Sequence, residues 1–176
     1  MLELEIESIR VRQETQQRAV VLKVKDSDLY LPIFIGPFEV EAIRFKLMDV
    51  EVQRPMTHDL LGSVIGDLGA TIESIVVSDL KNDTFFAKIV INYNGNVVEV
   101  DSRPSDAIAL AVRANAPIFA SDDVIEKAAV TLAVENSDGD DEASELNEQT
   151  EVEEEKLSAF TDFIDSLDLG HIGKDQ

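Results

Sequence analysis

Cysteine and tryptophan are absent from the 176 residues, and histidine occurs only at His58 and His171. Without cysteine the chain forms neither disulfides nor thiolate-bound metal centres, which is typical of a reducing compartment, so we expect a cytoplasmic location. Two histidines also argue against a multi-histidine metal site within one chain. No apolar run reaches the ~18 residues needed to cross a bilayer. The acidic N-terminus is unlike a signal peptide, and we expect no membrane partner.

Positive charge is scarce and unevenly distributed. The chain has 15 Lys and Arg against 36 Asp and Glu, a net charge of −21. Residues 1–134 hold 13 basic and 21 acidic side chains, or −8, whereas residues 135–176 hold 2 basic and 15 acidic side chains, or −13. A basic surface extending over the whole protein is therefore excluded. Any nucleic acid would have to bind at a local basic patch or through a metal ion.

The composition divides the chain into three regions. Residues 1–134 carry a patterned apolar sequence and are predicted to form one domain. Residues 135–153 are acidic and almost without large apolar side chains, which predicts a disordered linker. Residues 154–170 are predicted to contain one short amphipathic helix, which we expect to dock on its own domain, on a second subunit or on another protein. Its apolar stripe consists of Leu157, Phe160, Ile164 and Leu167.

Apolar patterning within the domain predicts strands and helices in a mixed order. Three strands come first, followed by two helices, the second capped by Thr57, and then three strands with a hairpin at Asn94-Gly95. A helix with an apolar centre begins at Pro104, and a short strand and a last helix complete the domain. This order predicts an α+β fold, with a mixed or antiparallel sheet packed with about four helices. Pro32 predicts an edge position or a bulge in the third strand.

Three polar clusters interrupt the apolar pattern near the ends of predicted elements, where binding groups are common. The first contains Glu39 and Glu41, at the start of the first helix. The second is Arg54-Pro-Met-Thr-His58-Asp59, before the second helix. The third is Asp101-Ser-Arg103-Pro-Ser105-Asp106, with Arg113 two turns further on. Because the two glutamates are two residues apart, they point to different helix faces, and at most one would easily face a site.

The third cluster has groups suited to a phosphate or a divalent ion. Asp101 and Asp106 would flank a helix N-terminus, whose backbone N–H groups attract anions, and Arg103 has a fork of donors for a phosphate. Two carboxylates at such a place could hold Mg²⁺ or Mn²⁺. The alternative is structural: Asp106 is then a first-turn acid, and Arg103 pairs with a neighbouring carboxylate.

His58 is the only histidine of the predicted domain. It could act as a general acid or base near neutral pH, or ligate a metal beside Asp59. The alternative is an exposed or hydrogen-bonded histidine near a helix start. No glycine-rich phosphate loop, nucleophile elbow or metalloprotease motif occurs that would settle the choice.

Three sequence blocks resemble the bifunctional nuclease domain family. They are Leu31-Pro-Ile-Phe-Ile-Gly-Pro-Phe-Glu-Val-Glu-Ala42, Arg54-Pro-Met-Thr-His-Asp-Leu-Leu61 and Asp101-Ser-Arg-Pro-Ser-Asp-Ala-Ile-Ala-Leu-Ala-Val-Arg113. The resemblance extends from about Leu2 to Val134. It implies an α+β domain that forms homo-oligomers, dimers first among them, and that cleaves both DNA and RNA.

The leading hypothesis is therefore a nuclease assisted by Mg²⁺ or Mn²⁺, which requires the second and third clusters to converge. Catalytic candidates are His58, Asp59, Asp101 and Asp106. Phosphate- or substrate-binding candidates are Arg54, Arg103, Ser105 and Arg113. Metal-ligand candidates are Asp101, Asp106 and Asp59, with Glu39 and Glu41 as weaker ones. The alternative is a non-catalytic oligomeric binding or regulatory module whose C-terminal helix recruits a protein partner.

Overall fold

A computed structural model describes residues 1–12 and 15–131 of the chain. The predicted linker and the predicted C-terminal helix lie outside these residues. The described part confirms an α+β fold with eight strands and four helices. The strands are β1 (Leu2–Val11), β2 (Arg18–Val24), β3 (Leu29–Ile35), β4 (Ala70–Lys81), β5 (Thr84–Tyr93), β6 (Asn96–Ser102), β7 (Ile118–Ala120) and β8 (Val130–Thr131). The helices are α1 (Pro37–Leu47), α2 (Thr57–Asp67), α3 (Pro104–Ala114) and α4 (Asp122–Ala128).

The strands form one mixed sheet in the order β6-β5-β4-β7-β1-β2-β3-β8. All neighbours are antiparallel except β4 and β7, which are parallel. The order of elements agrees with the sequence prediction except for β8, whose two residues give too short a pattern to detect. Pro32 pairs with Val21 of β2, whereas β8 contacts β3 only at Leu29 and Tyr30. Pro32 therefore lies at an edge position with respect to the described strands, where a missing N–H costs little.

Helix α3 is the central helix of the domain. It packs on α1, α2, β4 and β5. The run Ala107–Ala111 is fully buried, because small and aliphatic side chains on nearly every side let the helix contact both the sheet and the other helices. Its first turn, which holds Ser105 and Asp106, is therefore fixed in position by the core.

Helix α2 differs from the sequence prediction in two respects. Its N-cap is Met56 rather than Thr57, because the Asp59 carboxylate folds back and accepts a hydrogen bond from the Met56 N–H at 2.8 Å. None of its residues is buried, although its apolar stripe is continuous. Ile65 packs on the core and Gly62 faces Leu110 of α3. The exposed apolar residues of α2 are Leu60, Leu61, Val64 and Leu68.

None of the four helices in the described part of the chain is long and apolar enough to cross a membrane.

Two glycine substitutions test the local backbone argument. Gly95 has a φ of +80° in the turn between β5 and β6, so Gly95→Ala should lower the free energy of unfolding by about 1 kcal/mol. Gly66 lies in α2, with no atom within 4 Å of an added Cβ. Gly66→Ala should therefore leave stability unchanged or raise it by up to about 1 kcal/mol. Urea unfolding measures both changes, and equal effects would contradict the argument.

Candidate functional site

His58 and Asp106 join the second and third polar clusters. His58 lies in the first turn of α2 and Asp106 in the first turn of α3, and the distance from His58 Nε2 to Asp106 Oδ1 is 3.1 Å. An ionised carboxylate only accepts hydrogen bonds, so when the ring is neutral its Nε2 carries the proton and its Nδ1 keeps the lone pair. Nδ1 has no hydrogen-bond partner among residues 1–12 and 15–131. The pair is therefore arranged as an oriented proton acceptor.

Arg103 holds the Asp106 carboxylate from the other side. Its Nε donates to Asp106 Oδ2 at 2.8 Å and its Nη2 donates to Oδ1 at 3.2 Å. Its Nη1 donates to Glu39 Oε1 at 3.0 Å, which adds the first polar cluster to the network. Burial raises the pKa of Asp106, but the hydrogen bonds from Arg103 and His58 lower it more, so its pKa lies below the ordinary value.

Glycine at position 36 leaves room for the Glu39 carboxylate to approach the backbone. A Cβ on Gly36 would overlap the Glu39 carboxylate, which folds back over the start of α1. The motif Gly36-Pro37 therefore does more than start a helix, because it leaves the space in which Glu39 meets Arg103. Sequence reasoning identified this motif only as a helix start.

Arg113 and Asp59 form a second ion pair that ties three helices together. The Arg113 side chain is only 8% exposed, and its Nε donates to Asp59 Oδ1 at 2.6 Å. Its Nη1 donates to the carbonyl oxygens of Ala42 at 2.9 Å and Ala109 at 2.8 Å. Burial raises the pKa of Asp59, but hydrogen bonds from the Met56 N–H and from Arg113 lower it more. Arg113, predicted as a phosphate ligand, thus has its donors directed into the protein.

Three of the charged residues predicted for the site lie outside the network. Asp101 is on β6 directly opposite Lys88 of β5, and its charge acts on that lysine. Glu41 accepts a hydrogen bond from Arg44 at 2.9 Å, so only one of the two glutamates faces the network, as their spacing predicts. Arg54 is exposed in the loop before α2.

The network residues open onto two clefts. The Arg103 cleft, about 270 Å³, is lined by Arg103, Glu39 and Ser105. Ser105 is only 6% exposed, and its hydroxyl makes no hydrogen bond within the described residues. The His58 cleft, about 510 Å³, is lined by His58, Asp59 and Arg113 among others. Because His58 and Arg103 contact the same oxygen of Asp106, the two clefts are neighbours.

The carboxylates do not form a ready metal site. Asp59 and Asp106 are both engaged by guanidinium groups, and Asp101 lies beside Lys88. Within residues 1–12 and 15–131, no three His, Asp or Glu side chains are grouped so that they could hold a metal ion. The donor set predicted for Mg²⁺ or Mn²⁺ therefore does not fit in this arrangement, and we assign no step to a metal.

Comparisons with known proteins support the resemblance seen in the motifs. The family profile of the bifunctional nuclease domain matches residues 20–133. A protein of Mycobacterium tuberculosis, the uncharacterized protein Rv1829, is 35% identical over 167 residues, which cover 95% of each chain. Bifunctional nuclease 1 of Arabidopsis thaliana is 30% identical over 104 residues, or 57% of this chain and 32% of the plant protein. Bifunctional nuclease 1 of Oryza sativa subsp. indica is 26% identical over 114 residues, 62% of this chain and 34% of that protein. The chain thus spans about a third of the plant proteins' length.

The lowered pKa of Asp106 makes the free energy of unfolding depend on pH in the acidic range. Because its folded pKa lies below the ordinary value of 3.8, ionised Asp106 stabilises the fold above pH 3.8. This stabilisation is lost as the pH falls through the folded value. Asp106→Asn should therefore unfold with a smaller dependence on pH below pH 5 than the parent chain, measured by urea titration at successive pH values. An unchanged dependence would contradict the ion-pair network.

The Arg113 contacts predict a large and specific loss of stability. Arg113→Met leaves Asp59 and two carbonyl oxygens without their donor, and should lower the free energy of unfolding by about 3 kcal/mol or more. Arg54→Met is the matched control, because Arg54 is exposed, and its effect should stay within about 0.5 kcal/mol. Similar losses in the two variants would show that Arg113 does not hold the helices together.

Proposed function

Since this chain belongs to the bifunctional nuclease domain family, we propose that it hydrolyses phosphodiester bonds of DNA and RNA at the His58–Asp106 pair. The contact between these two side chains is the observation that carries the proposal. A histidine oriented by a carboxylate is a recurrent arrangement for moving a proton near neutral pH. The similarity to plant proteins named bifunctional nuclease 1 supports the same activity.

Each group has a role that follows from its position. Asp106 holds the proton on His58 Nε2, so Nδ1 takes a proton from the attacking water as its oxygen bonds to phosphorus. Arg103 keeps much of its side chain exposed, at 65%, and binds the phosphate oxygens together with the Ser105 hydroxyl and the N–H groups at the start of α3. The P–O bond to the leaving oxygen breaks, and that oxygen takes a proton from solvent.

Phosphate binding at Arg103 requires a local exchange of partners. Its guanidinium already bonds Glu39 and Asp106, and the Arg103 cleft also contains Asp83. The substrate phosphate would replace the Glu39 carboxylate at Nη1, while the two bonds to Asp106 remain. In this scheme Glu39 keeps Arg103 in position before substrate binds.

Several finer expectations belong to the same proposal. A requirement for Mg²⁺ or Mn²⁺ stays a prediction from the sequence, because the carboxylates would have to leave their guanidinium partners to bind the ion. Association into a homodimer is supported by the edge strand β6, on which Val97, Val98 and Val100 are exposed. A cytoplasmic location is consistent with the absence of cysteine.

The alternative function is a non-catalytic binding or regulatory module. The internal contacts of Arg113 favour it, because one of the polar motif residues holds a helix junction together and does not face a substrate. Under this alternative the Arg103 cleft binds a small anion without cleaving it. Activity measurements on paired variants separate the two functions.

The histidines provide the sharpest test of the nuclease proposal. His58→Ala should lower the cleavage rate by about 10²- to 10⁴-fold, as expected on loss of a general base. His171→Ala is the matched control and should cleave at the parent rate, since His171 lies outside residues 20–133, which match the family profile. The assay uses single- and double-stranded DNA and RNA at low salt, with Mg²⁺, Mn²⁺ or a chelator.

Equal cleavage by the two histidine variants would overturn the assignment of His58. If neither the variants nor the parent chain cleaves nucleic acid, the result would favour the binding module. Asp106→Asn and Asp101→Asn extend the test. If only Asp106→Asn loses cleavage activity, the catalytic centre is confined to the His58–Asp106 pair. Equal loss of cleavage activity in both variants would show that Asp101 also belongs to the site.

A further inference from the structure

A second concave surface lies beside the His58 cleft. We call it the Arg54 groove; it runs between the end of α1, the loop that follows and the start of α2, and its volume is about 330 Å³. Its apolar lining includes Phe45, Val50 and Val52, and the two valines are 43% and 42% exposed. Apolar side chains left open in a groove indicate a surface that another segment covers.

The Arg54 groove carries one positive charge that is unpaired within residues 1–12 and 15–131, although the domain as a whole is acidic. Its lining includes Lys46, Arg54 and Arg113. Lys46 pairs with Asp49 at 3.8 Å and Arg113 pairs with Asp59, so among the described residues Arg54 is the lining cation without a carboxylate partner. Over residues 1–134 the net charge is −8. The groove therefore combines an apolar lining with the unpaired guanidinium of Arg54, and it favours an amphipathic occupant that brings carboxylates.

The chain itself contains a segment of this composition. The sequence Leu157-Ser-Ala-Phe160-Thr-Asp162-Phe163-Ile164-Asp165-Ser-Leu167-Asp168 carries five large apolar side chains and three aspartates without one basic residue. At the helical spacing expected for it, Phe160, Phe163, Ile164 and Leu167 share one side. We propose that residues 157–168 bind in the Arg54 groove of the same molecule.

The intervening chain is long enough for this contact. The described residues end at Thr131 in β8, so 25 residues separate it from Leu157. A flexible chain of this length has an end-to-end distance of about 25–30 Å, and a charged one is more extended. A domain of this size has a radius of gyration of about 14 Å, so the whole of its surface is within reach. Tethering also raises the local concentration of the segment to about the millimolar range.

Binding there would affect access to the proposed catalytic pair. The Arg54 groove and the His58 cleft share Lys46, Asp59, Ser63 and Arg113 in their linings. A segment in the groove would thus lie next to His58 and would offer carboxylates where a nucleic acid offers phosphates. This consequence rests on the proposed function, whereas the docking itself does not.

The absence of cysteine makes a disulfide test possible in the full chain. Val52→Cys with Phe160→Cys places one thiol in the groove and one in the tail segment. Leu68→Cys with Phe160→Cys is the matched control, because Leu68 is exposed at the end of α2 and does not line the groove. Under mild oxidation at low protein concentration, the groove pair should close about tenfold faster or more than the control pair.

A charge reversal tests the electrostatic part. Arg54→Glu added to the groove pair should slow disulfide closure several-fold, whereas Lys81→Glu, at an exposed lysine on β4, should not. Closure within one chain at the expected rate supports the proposal. Equal rates in the groove and control pairs, or covalent dimers in place of closed monomers, would overturn it. Because closure needs no nuclease activity, failure of the docking and failure of the proposed function are distinguishable.

Discussion

The buried guanidinium of Arg113 is the contact on which the arrangement of helices depends. It joins Asp59 of α2 to the carbonyl of Ala42 in α1 and to its own helix α3. Helix α2 contributes no buried side chain, so hydrophobic packing alone does not fix its position. The Arg113–Asp59 ion pair fixes the position of α2, but its formation removes two charges from water. The attraction between the charges offsets this desolvation only where the geometry is good and the remaining polar atoms are hydrogen-bonded. Here the second oxygen of Asp59 also has a donor, the Met56 N–H.

Once α2 is fixed, the proposed site follows from the chain order. His58 precedes Asp59 by one residue, so the helix that Asp59 anchors also brings His58 to Asp106. Asp106 is held by Arg103, and Arg103 by Glu39. All three polar clusters therefore meet around the first turn of α3, the most deeply buried helix. A structural ion pair and a candidate catalytic pair lie side by side, and this explains why residue types alone could not assign each one its role.

Local patterns were sufficient to predict most of the fold. Hairpin residues such as Asn94-Gly95, helix starts at proline and strand alternation act over a few residues, so the order of elements could be read from the chain. The face on which a helix packs depends on distant residues: the stripe of α2 predicted a helix correctly but did not show that Leu60 and Leu68 stay exposed. Strand β8 escaped prediction because two residues carry no periodicity.

The site was predictable in outline only. The notion that the second and third clusters converge is consistent with the His58–Asp106 contact, and the different directions of Glu39 and Glu41 followed from helical geometry. Asp101 and Asp106 are five residues apart, yet one belongs to an edge strand and the other to a buried helix. The chain turns between the two aspartates, so their side chains have different neighbours. Their spacing in the sequence does not show this difference. The carbonyl partners of Arg113 could not be predicted either. Every residue has a backbone carbonyl, so the sequence does not show which one will accept a hydrogen bond.

The way α2 is attached has a consequence for the cooperativity of the domain. The sheet and α3 are stabilised by apolar burial, whereas α2 is attached largely by the hydrogen bonds that His58 and Asp59 make to α3. Segments with little buried apolar surface separate from the rest at a lower free energy than global unfolding requires. Helix α2 is therefore expected to behave as a partly independent folding unit. Ionic strength and acidity then decide how often His58 is in place, while the rest of the domain stays folded.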